Sequence, residues 1–326
     1  MAFEDIHGHD RQIRILQQAM TKNRMAHAYL FYGMQGIGKK STALVFARAL
    51  NCRAGQGDAC GRCSSCLKAD HGNHPDLRII EPSGPFIRID QIREIQQQMA
   101  FRPLEGGWRT FILVDAEKMN GPAAGALLKT LEEPTPANML ILISSRPYRL
   151  PLTVVSRCQP LRFNPLSRET VDHYLQERLG IEPPAARLLA ASSGGSIGRA
   201  IEMNDSDYVS LRNDLLEKVM GEQHGDPLQL FSLVHAFGQE RKDILERLDI
   251  LKGCFRDALI YRETGMTQSL FNQDRVSEIR SFAGGHSAAD LLKNIRIVDR
   301  AHRAIDQNAN RLLTLETMMF RLVPTS

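Results

Sequence analysis

The sequence lacks the features of a membrane-spanning or secreted protein. It has no apolar run near the roughly 18 residues that a helix needs to cross a bilayer. The first residues, MAFEDIHGHDRQIRIL, contain no basic segment followed by an apolar one, so they do not resemble a signal peptide. Neither a repeat nor a low-complexity tract is present. We therefore expect a cytoplasmic protein, and 326 residues are enough for two or three domains.

The chain also has little excess of either charge. Its 41 lysine and arginine residues face 37 aspartate and glutamate residues, which leaves a formal net charge of +4. A dedicated DNA-binding protein usually carries a concentrated basic surface. This balance therefore argues against that class, although it tolerates nucleic acid nearby.

Cysteine is sparse, but four of the six cysteines lie close together in a C-x7-C-x2-C-x2-C array. The array consists of Cys52, Cys60, Cys63 and Cys66. Gaps of two residues allow neighbouring thiolates to bind one tetrahedral ion, and four sulfurs leave no open coordination position. We predict a structural zinc site that contributes about 10 kcal/mol of folding free energy. The alternatives are free buried cysteines and an iron–sulfur cluster.

The first half of the chain alternates apolar strands with helical patterns. Strands are predicted at 28–32, 77–80, 109–115 and 138–144. Apolar strands separated by helices indicate a parallel sheet that helices cover on both sides. Beyond about residue 165 only helical patterns remain, so the predicted fold class is an α/β domain, a small helical lid and an all-helical C-terminal domain. We place these domains at 1–165, with the cysteine insertion at 52–66, and at 166–206 and 207–326.

A phosphate-binding loop follows the first predicted strand. The segment GMQGIGKKSTA keeps the order of strand, glycine loop and helix that a P-loop requires. Small residues let backbone N–H groups turn toward phosphate oxygens, and the helix N-terminus adds partial positive charge. Gly33, Gly36, Gly38 and Lys39 are all in place, and Lys39 is expected to reach the outer phosphates. The alternative is a glycine turn that only joins strand and helix.

The groups that hydrolyse a triphosphate are missing from this pocket. A P-loop lysine is normally followed by a hydroxyl that binds magnesium, but here Lys40 follows, and Ser41 lies about 100° further round the helix. Asp115 ends an apolar strand and is a candidate magnesium partner through water. Ala116 stands where a hydrolytic site has a carboxylate, and Glu117 is one step out of register. We therefore expect a pocket that binds ATP or ADP at most, without turnover; the alternative is a live enzyme that tolerates Lys40.

Several motifs occur in one order along the chain. They are HAYLFYG, the glycine loop, the four-cysteine array, GNHPDL, ALLKTLEEP and SRC. With these motifs the sequence resembles the bacterial clamp-loader AAA+ family over roughly residues 5–205. The resemblance implies an AAA+ P-loop domain with a helical lid. The C-terminal helices agree in length and character with the family's collar domain, which joins subunits in a ring.

The resemblance also implies roles for individual residues. In the family, the arginine of the SRC motif projects into the ATP site of the adjacent motor subunit, and here that arginine is Arg157. A guanidinium there stabilises charge on the transferring phosphoryl group. Arg199 falls where the lid carries a sensor arginine, and Ser144 and Ser145 end a strand where the family has a polar sensor. The alternative for Arg157 is an ordinary surface arginine.

The predicted function follows from the resemblance and the incomplete pocket. The family contains gamma/tau motors with intact pockets and a stator whose pocket is commonly degenerate, and Lys40 and Ala116 favour the stator. The implied partners are the gamma/tau motors and the delta subunit in a hetero-pentameric ring of the DNA polymerase III holoenzyme. Through that complex the chain would meet the sliding clamp and primer–template DNA. The alternatives are a gamma/tau-like motor ATPase and a zinc-dependent nucleic-acid module, against which the small net charge argues.

Overall fold

The computed structural model describes residues 1–55, 57–105, 107–220, 234 and 237–322. The chain divides into two units, of which the first comprises Met1–Tyr174 and Gly194–Arg199 and the second Leu175–Ser193 and Ala200–Ser326. The three domains predicted from the sequence, with bounds near 165 and 206, stay a prediction. Parts of the predicted C-terminal domain and of the cysteine insertion lie outside the described residues, namely 221–233, 235–236, 323–326 and Gln56.

A parallel sheet of five strands forms the centre of the first unit. The strands are β1 (Ala28–Tyr32), β2 (Leu77–Ile80), β3 (Arg109–Leu113), β4 (Asn138–Ser144) and β5 (Gln159–Arg162). They lie in the order β2-β3-β4-β1-β5, and every neighbouring pair is parallel. The parallel sheet predicted for the first half of the chain is therefore confirmed. The strand predicted at 109–115 ends at Leu113, and the sequence patterns do not indicate β5.

Helices cover both faces of this sheet. They are α1 (Asp10–Thr21), α2 (Lys39–Leu50), α3 (Ser64–Asp70), α4 (Ile89–Met99), α5 (Gly121–Glu132) and α6 (Leu152–Val155). Successive residues of β1 point to opposite faces. Phe31 is buried in one apolar cluster with Phe46 of α2, and Leu30 is buried in another with Ile92 of α4 and Leu127 of α5. Both faces of the sheet are therefore apolar, as the continuous apolar runs predict.

Helix α5 has clear local signals at both ends. The side chain of Asn120 accepts a hydrogen bond from the backbone N–H of Ala123 at 2.9 Å, and Pro122 lies in the first turn. The helix ends at Glu132, shortly before Pro134, which disfavours helical conformation in the residue that precedes it. These signals set the residues at which α5 begins and ends, and the helix therefore stops within the ALLKTLEEP motif.

The described residues of the second unit form helices and the segments that join them, and they contain no strand. The helices of the C-terminal half are α7 (Arg168–Leu179), α8 (Pro183–Ser192), α9 (Ile197–Asp205), α10 (Tyr208–Met220), α11 (Arg241–Thr264), α12 (Val276–Gly284), α13 (Ala288–Asp306) and α14 (Arg311–Leu322). Helix α11 packs along α13, and each contributes buried apolar residues, among them Leu248 and Val298. The predicted helical character of this half is confirmed. Among the described helices, none combines the length and apolarity needed to cross a membrane.

Candidate functional site

The P-loop joins β1 to α2 through three glycines with positive φ. Gly33, Gly36 and Gly38 have φ angles of 146°, 72° and 101°, a region that other residues rarely adopt. At Gly33 space is restricted as well, because a Cβ there would lie 2.3 Å from the carbonyl oxygen of Phe163. Helix α2 begins at Lys39, directly after the loop. Strand, loop and helix therefore have the arrangement that a P-loop needs.

Lys39 is buried against the loop that precedes it. Its ammonium donates to the carbonyl oxygens of Gly33 at 2.7 Å and Met34 at 2.6 Å, and only 6% of the residue is exposed. Burial lowers the pKa of Lys39 from its ordinary 10.5 to about 8, although Glu117 and Asp115 act in the opposite direction. A buried cation in this position is suited to a phosphate oxygen, which is a stronger partner than a neutral carbonyl. The binding role of Lys39 stays a prediction.

Lys40 pairs with a carboxylate at the end of the edge strand β2. Its Nζ lies 2.6 Å from Oε1 of Glu81, and this hydrogen bond lowers the pKa of Glu81. Ser41 is half-buried. The next hydroxyl, that of Thr42, donates to the carbonyl oxygen of Gly38 at 2.9 Å. The position that holds a magnesium-binding hydroxyl in a hydrolytic P-loop is thus occupied by a cation with its own counter-ion.

Val114 follows β3, and the next three residues, Asp115, Ala116 and Glu117, each have different surroundings. Asp115 has a left-handed backbone, with φ 51°, and accepts from Nζ of Lys118 at 2.9 Å. The methyl group of Ala116 is fully buried in the apolar cluster that α4 and α5 form with the sheet. Glu117 faces elsewhere, since its Oε1 accepts from the backbone N–H and the hydroxyl of Ser145 at 3.1 and 2.6 Å. A carboxylate at residue 116 would therefore have to enter the core.

Glu117 belongs to the site, although the sequence patterns identify it only as a carboxylate out of register and assign it no role there. The predicted change of face between residues 116 and 117 is present, but it brings Glu117 close enough to Lys39 for the two charges to interact. Burial acts to raise the pKa of Glu117, and hydrogen bonds from Ser145 and Ser144 outweigh it, so the net change is a lower pKa. Oε2 of Glu117 is buried and has no hydrogen-bond partner among the described residues. The hydroxyl of the fully buried Ser144 accepts from the backbone N–H of Arg146 at 3.1 Å.

The predicted lid sensor, Arg199, lies beside the P-loop in the first unit. Its backbone N–H donates to the hydroxyl of Ser196 at 3.1 Å, and that hydroxyl donates to the carbonyl oxygen of Gln35 at 2.9 Å. The N–H of Gly198 donates to the carbonyl oxygen of Gly36 at 2.9 Å. A Cβ on Gly36 would lie 2.5 Å from Oγ of Ser196, so this close approach requires glycine. The structure brings Arg199 to the loop, and its sensor role stays a prediction.

His9 also contacts the loop, and no sequence pattern selects it. Its Nε2 donates to the carbonyl oxygen of Ile37 at 2.6 Å. The ring packs edge-on against Phe163, with the centroids 4.9 Å apart. Burial lowers the pKa of His9, which favours the neutral ring. His9 therefore fixes the last residues of the loop before α2.

Arg157 lies between α6 and β5, and its side chain is 37% exposed. Its Nη2 lies 2.8 Å from Oε1 of Glu132, the last residue of α5. Its Nη1 donates to the carbonyl oxygen of Thr153 at 3.0 Å and lies 3.4 Å from Oγ of Ser156. These partners belong to α5 and α6 and to the turn that follows, rather than to the P-loop. The role of Arg157 in trans stays a prediction.

The four cysteines of the array converge on one point. Each offers a sulfur within 4.8 Å of the other three, the set being Cys52, Cys60, Cys63 and Cys66. The N–H of Cys60 donates to the sulfur of Cys52 at 3.3 Å, and the N–H of Cys63 donates to that of Cys60 at 3.4 Å. Hydrogen bonds from the backbone of Arg62 and Cys63 lower the pKa of Cys60 to about 6, which favours its thiolate. Burial raises the pKa of Cys66 to about 12, which favours its thiol, so the case for a metal site rests on the convergence of the four sulfurs rather than on these pKa values. The donor set fits a closed tetrahedral metal site.

Polar contacts fix the cysteine segment to the rest of the first unit. Arg48 of α2, only 4% exposed, donates from Nη2 to Oδ2 of Asp70 at 2.6 Å, and Asp70 is the last residue of α3. The backbone N–H of Phe3 donates to both carboxylate oxygens of Asp58 at 3.1 and 3.2 Å. The segment is therefore attached both to the P-loop helix and to the N-terminal residues.

Two family models match most of the chain. The model described as DNA polymerase III, delta subunit, matches residues 8–167. The model described as DNA polymerase III, delta subunit, C terminal, matches residues 206–323. The first match includes the P-loop, the cysteine array and Arg157.

Individual relatives carry related names. The chain is 31% identical to DNA polymerase III subunit delta' of Bacillus subtilis, across 96% of this chain and 95% of the relative. It is 42% identical to DNA polymerase III subunit delta' of Pseudomonas aeruginosa, across 60% of each chain. It is 26% identical to DNA polymerase III subunit tau of Bacillus subtilis, across 99% of this chain and 62% of the relative. The chain belongs to the family of DNA polymerase III delta-prime subunits.

Proposed function

We propose that this protein is the stator of a DNA polymerase III clamp loader and helps to load the sliding clamp on primed DNA during replication. Membership of the delta-prime family supports the assignment. The observation that carries the stator role is the fully buried methyl group of Ala116, because a hydrolytic pocket of this class has a carboxylate there. The second missing group is the hydroxyl that binds magnesium, and Lys40, which is paired with Glu81, occupies its position. The protein then contributes no ATP turnover of its own to the polymerase assembly.

The pocket retains the parts that bind a nucleotide without hydrolysing it. The left-handed glycines leave the loop backbone free to follow a phosphate chain, and Lys39 supplies a cation at the loop. ATP or ADP would be held by these groups, with Asp115 and Arg199 nearby in the chain's own pocket. Because no hydroxyl directly follows Lys39, binding would depend little on magnesium.

Arg157 is the residue through which the protein acts on catalysis. A guanidinium binds phosphate oxygens in a defined, often bidentate geometry. Its partial exposure is consistent with contact to a neighbouring subunit. An arginine supplied in trans accelerates phosphoryl transfer by roughly a thousandfold or more. The triphosphate on which it acts belongs to a gamma/tau motor subunit.

The cysteine cluster holds a structural Zn²⁺ in this proposal. Four sulfurs that approach within 4.8 Å of one another match the soft, tetrahedral donor set that zinc prefers. A closed site has no position for substrate, so the ion stabilises the segment between α2 and α3. Its contribution is to folding rather than to phosphoryl transfer.

The partners follow from the same assignment. A gamma/tau motor would lie on one side of the protein and the delta subunit on the other, in a hetero-pentameric ring. The helices after residue 207 would form the collar that joins the subunits. The clamp and primer–template DNA would be bound by the ring as a whole, in agreement with the small net charge of this chain.

The decisive experiment reconstitutes the loader from this chain and the motor and delta subunits of the same organism. ATPase activity is measured with clamp and primed DNA, using wild-type protein or Arg157→Ala. We expect the variant to assemble normally and to lower the rate. Equal rates in two complexes of equal stoichiometry would rule out the role in trans.

The rival function is a gamma/tau-like motor ATPase, which the similarity to a tau subunit favours. The two functions differ in what the isolated chain does with magnesium-ATP. The stator predicts no phosphate release above background. Turnover that Lys39→Ala abolishes would establish the motor instead.

A further inference from the structure

An ion pair joins the ends of two sequence motifs. Glu132 is the last helical residue of α5, in ALLKTLEEP, and Arg157 is the arginine of SRC, just after α6. Nη2 of Arg157 lies 2.8 Å from Oε1 of Glu132, and Nη1 donates to the carbonyl oxygen of Thr153 at 3.0 Å. Two nitrogens of one planar group are thus held by two different helices. Such contacts define the plane of the guanidinium as well as its position.

The two helices that supply these contacts are themselves packed together. Leu127 and Leu131 of α5 and Val154 of α6 belong to one buried apolar cluster, and none is more than 2% exposed. Glu132 directly follows Leu131, so its backbone position depends on that packing. The carboxylate therefore extends from a fixed point of the first unit.

The guanidinium keeps donors for a further partner while it contacts Glu132. Arginine has five N–H donors, and the contacts of Arg157 to Glu132, Thr153 and Ser156 engage three at most. More than a third of the side chain remains exposed. A phosphate oxygen can therefore approach Arg157 without displacing Glu132.

We propose that Glu132 is a positioning residue for Arg157, which holds the guanidinium in the orientation that reaches a neighbouring subunit's triphosphate. The proposal rests on the role of Arg157 in trans. A long arginine side chain loses rotamer freedom when it is fixed. If Glu132 already fixes Arg157 before the neighbour's nucleotide binds, the catalytic step no longer includes this loss of rotamer freedom. A carboxylate that merely competed with phosphate for Arg157 would have the opposite effect on rate.

The test uses Glu132→Ala in the reconstituted loader with clamp and primed DNA. Exposed ion pairs contribute little to stability, so the variant is expected to fold and assemble. We expect kcat for ATP to fall roughly three- to tenfold, because one fixed rotamer is lost, while KM for ATP stays unchanged. Glu132→Gln keeps an acceptor of the same length and should recover part of the loss. Glu133→Ala removes the adjacent exposed carboxylate and should leave kcat as in the wild type.

A second pair of complexes separates positioning from a general structural effect. In the Arg157→Ala background, Glu132→Ala should cause no further loss, since the group it positions is gone. An unchanged or higher kcat with Glu132→Ala alone, or an equal further loss in the Arg157→Ala background, would overturn the positioning role. If Arg157→Ala lowers the rate and Glu132→Ala does not, the role in trans survives and only the positioning role fails. If Arg157→Ala has no effect, both fail.

Discussion

The ammonium of Lys40 lies 2.6 Å from Oε1 of Glu81, so the residue that replaces the magnesium-binding hydroxyl has its own counter-ion. Both side chains are more than two-fifths exposed. Exposed pairs of this kind contribute about 0.2–1 kcal/mol. The pair therefore does little for stability, but it directs the Lys40 side chain toward the end of β2. The pocket therefore differs from a hydrolytic one in two ways at residue 40: an ammonium replaces the hydroxyl, and the side chain points toward Glu81.

Replacement of that lysine should not create an ATPase. Lys40→Thr supplies the hydroxyl and removes the pair with Glu81, but the methyl group of Ala116 still stands where a catalytic carboxylate is needed. We expect the isolated variant to release no phosphate from magnesium-ATP. Its free energy of unfolding should change by less than about 1 kcal/mol. The expectation would be wrong if Lys40→Thr released phosphate and the double variant with Lys39→Ala did not.

Introduction of the missing carboxylate should damage the fold. Ala116 is fully buried among apolar residues of α4, α5 and the sheet. Ala116→Glu would place an acid there without a partner, at a cost of about 2–4 kcal/mol. Urea unfolding of the isolated chain measures this cost. The same change at the exposed Ala100 is the matched control and should cost less than about 1 kcal/mol; similar losses for the two variants would contradict the buried position of residue 116.

The sheet was largely predictable because most of its strands have a strong local pattern. All seven residues of β4 are buried, and a short, continuous apolar run such as NMLILIS, rich in leucine and isoleucine, is typical of a strand covered on both faces. Strand β5 lacks this signal, since Leu161 is its one buried residue and Pro160 interrupts it. It is held in the sheet by pairing with β1, whose residues lie more than a hundred positions earlier. Pairing over that distance leaves no pattern in a short segment.

The residues of the candidate site likewise divide into those that a local sequence pattern predicts and those that it does not. The loop glycines have positive φ angles, and Lys39 donates to carbonyl oxygens of the same loop, so a contiguous motif is enough to predict them. Glu117 depends on Ser145, which approaches from the end of another strand. Strand periodicity gives the change of face after residue 116 but not what lies on the new face. The pairs of Lys40 with Glu81 and of Arg157 with Glu132 likewise join separate elements.

Removal of one cysteine ligand should release the metal. We expect about one zinc per wild-type chain and much less than one in Cys63→Ser, because a hydroxyl is a poor replacement for a thiolate in a four-sulfur site. The variant should also unfold at lower temperature, since metal binding contributes to folding. Metal analysis and thermal unfolding measure the two effects. Cys158→Ala, outside the cluster, should keep its zinc; an unaltered zinc content in Cys63→Ser would contradict the site.

Titration of Lys39 should make stability depend on pH in the alkaline range. Burial lowers its pKa in the folded chain to about 8, whereas the unfolded chain keeps the ordinary 10.5. Between these values the unfolded chain binds more protons than the folded one, so the contribution of Lys39 to the free energy of unfolding rises with pH. Below pH 8 the lysine is charged in both states, and the burial penalty is fully present. The window of change is therefore about pH 8 to 10.5.

Lys39→Met isolates this effect from the other groups that titrate in the same range. The free energy of unfolding is measured by urea at pH 7.5, 8.5 and 9.5 for both proteins. The value for wild type minus the value for Lys39→Met should increase from pH 7.5 to 9.5, because only the wild type loses a buried charge. Nucleotide affinity of the wild type should fall over the same range, since a neutral amine binds phosphate poorly. A difference in stability that stays constant with pH would mean that Lys39 keeps its charge in the folded chain throughout, and that burial does not govern its pKa.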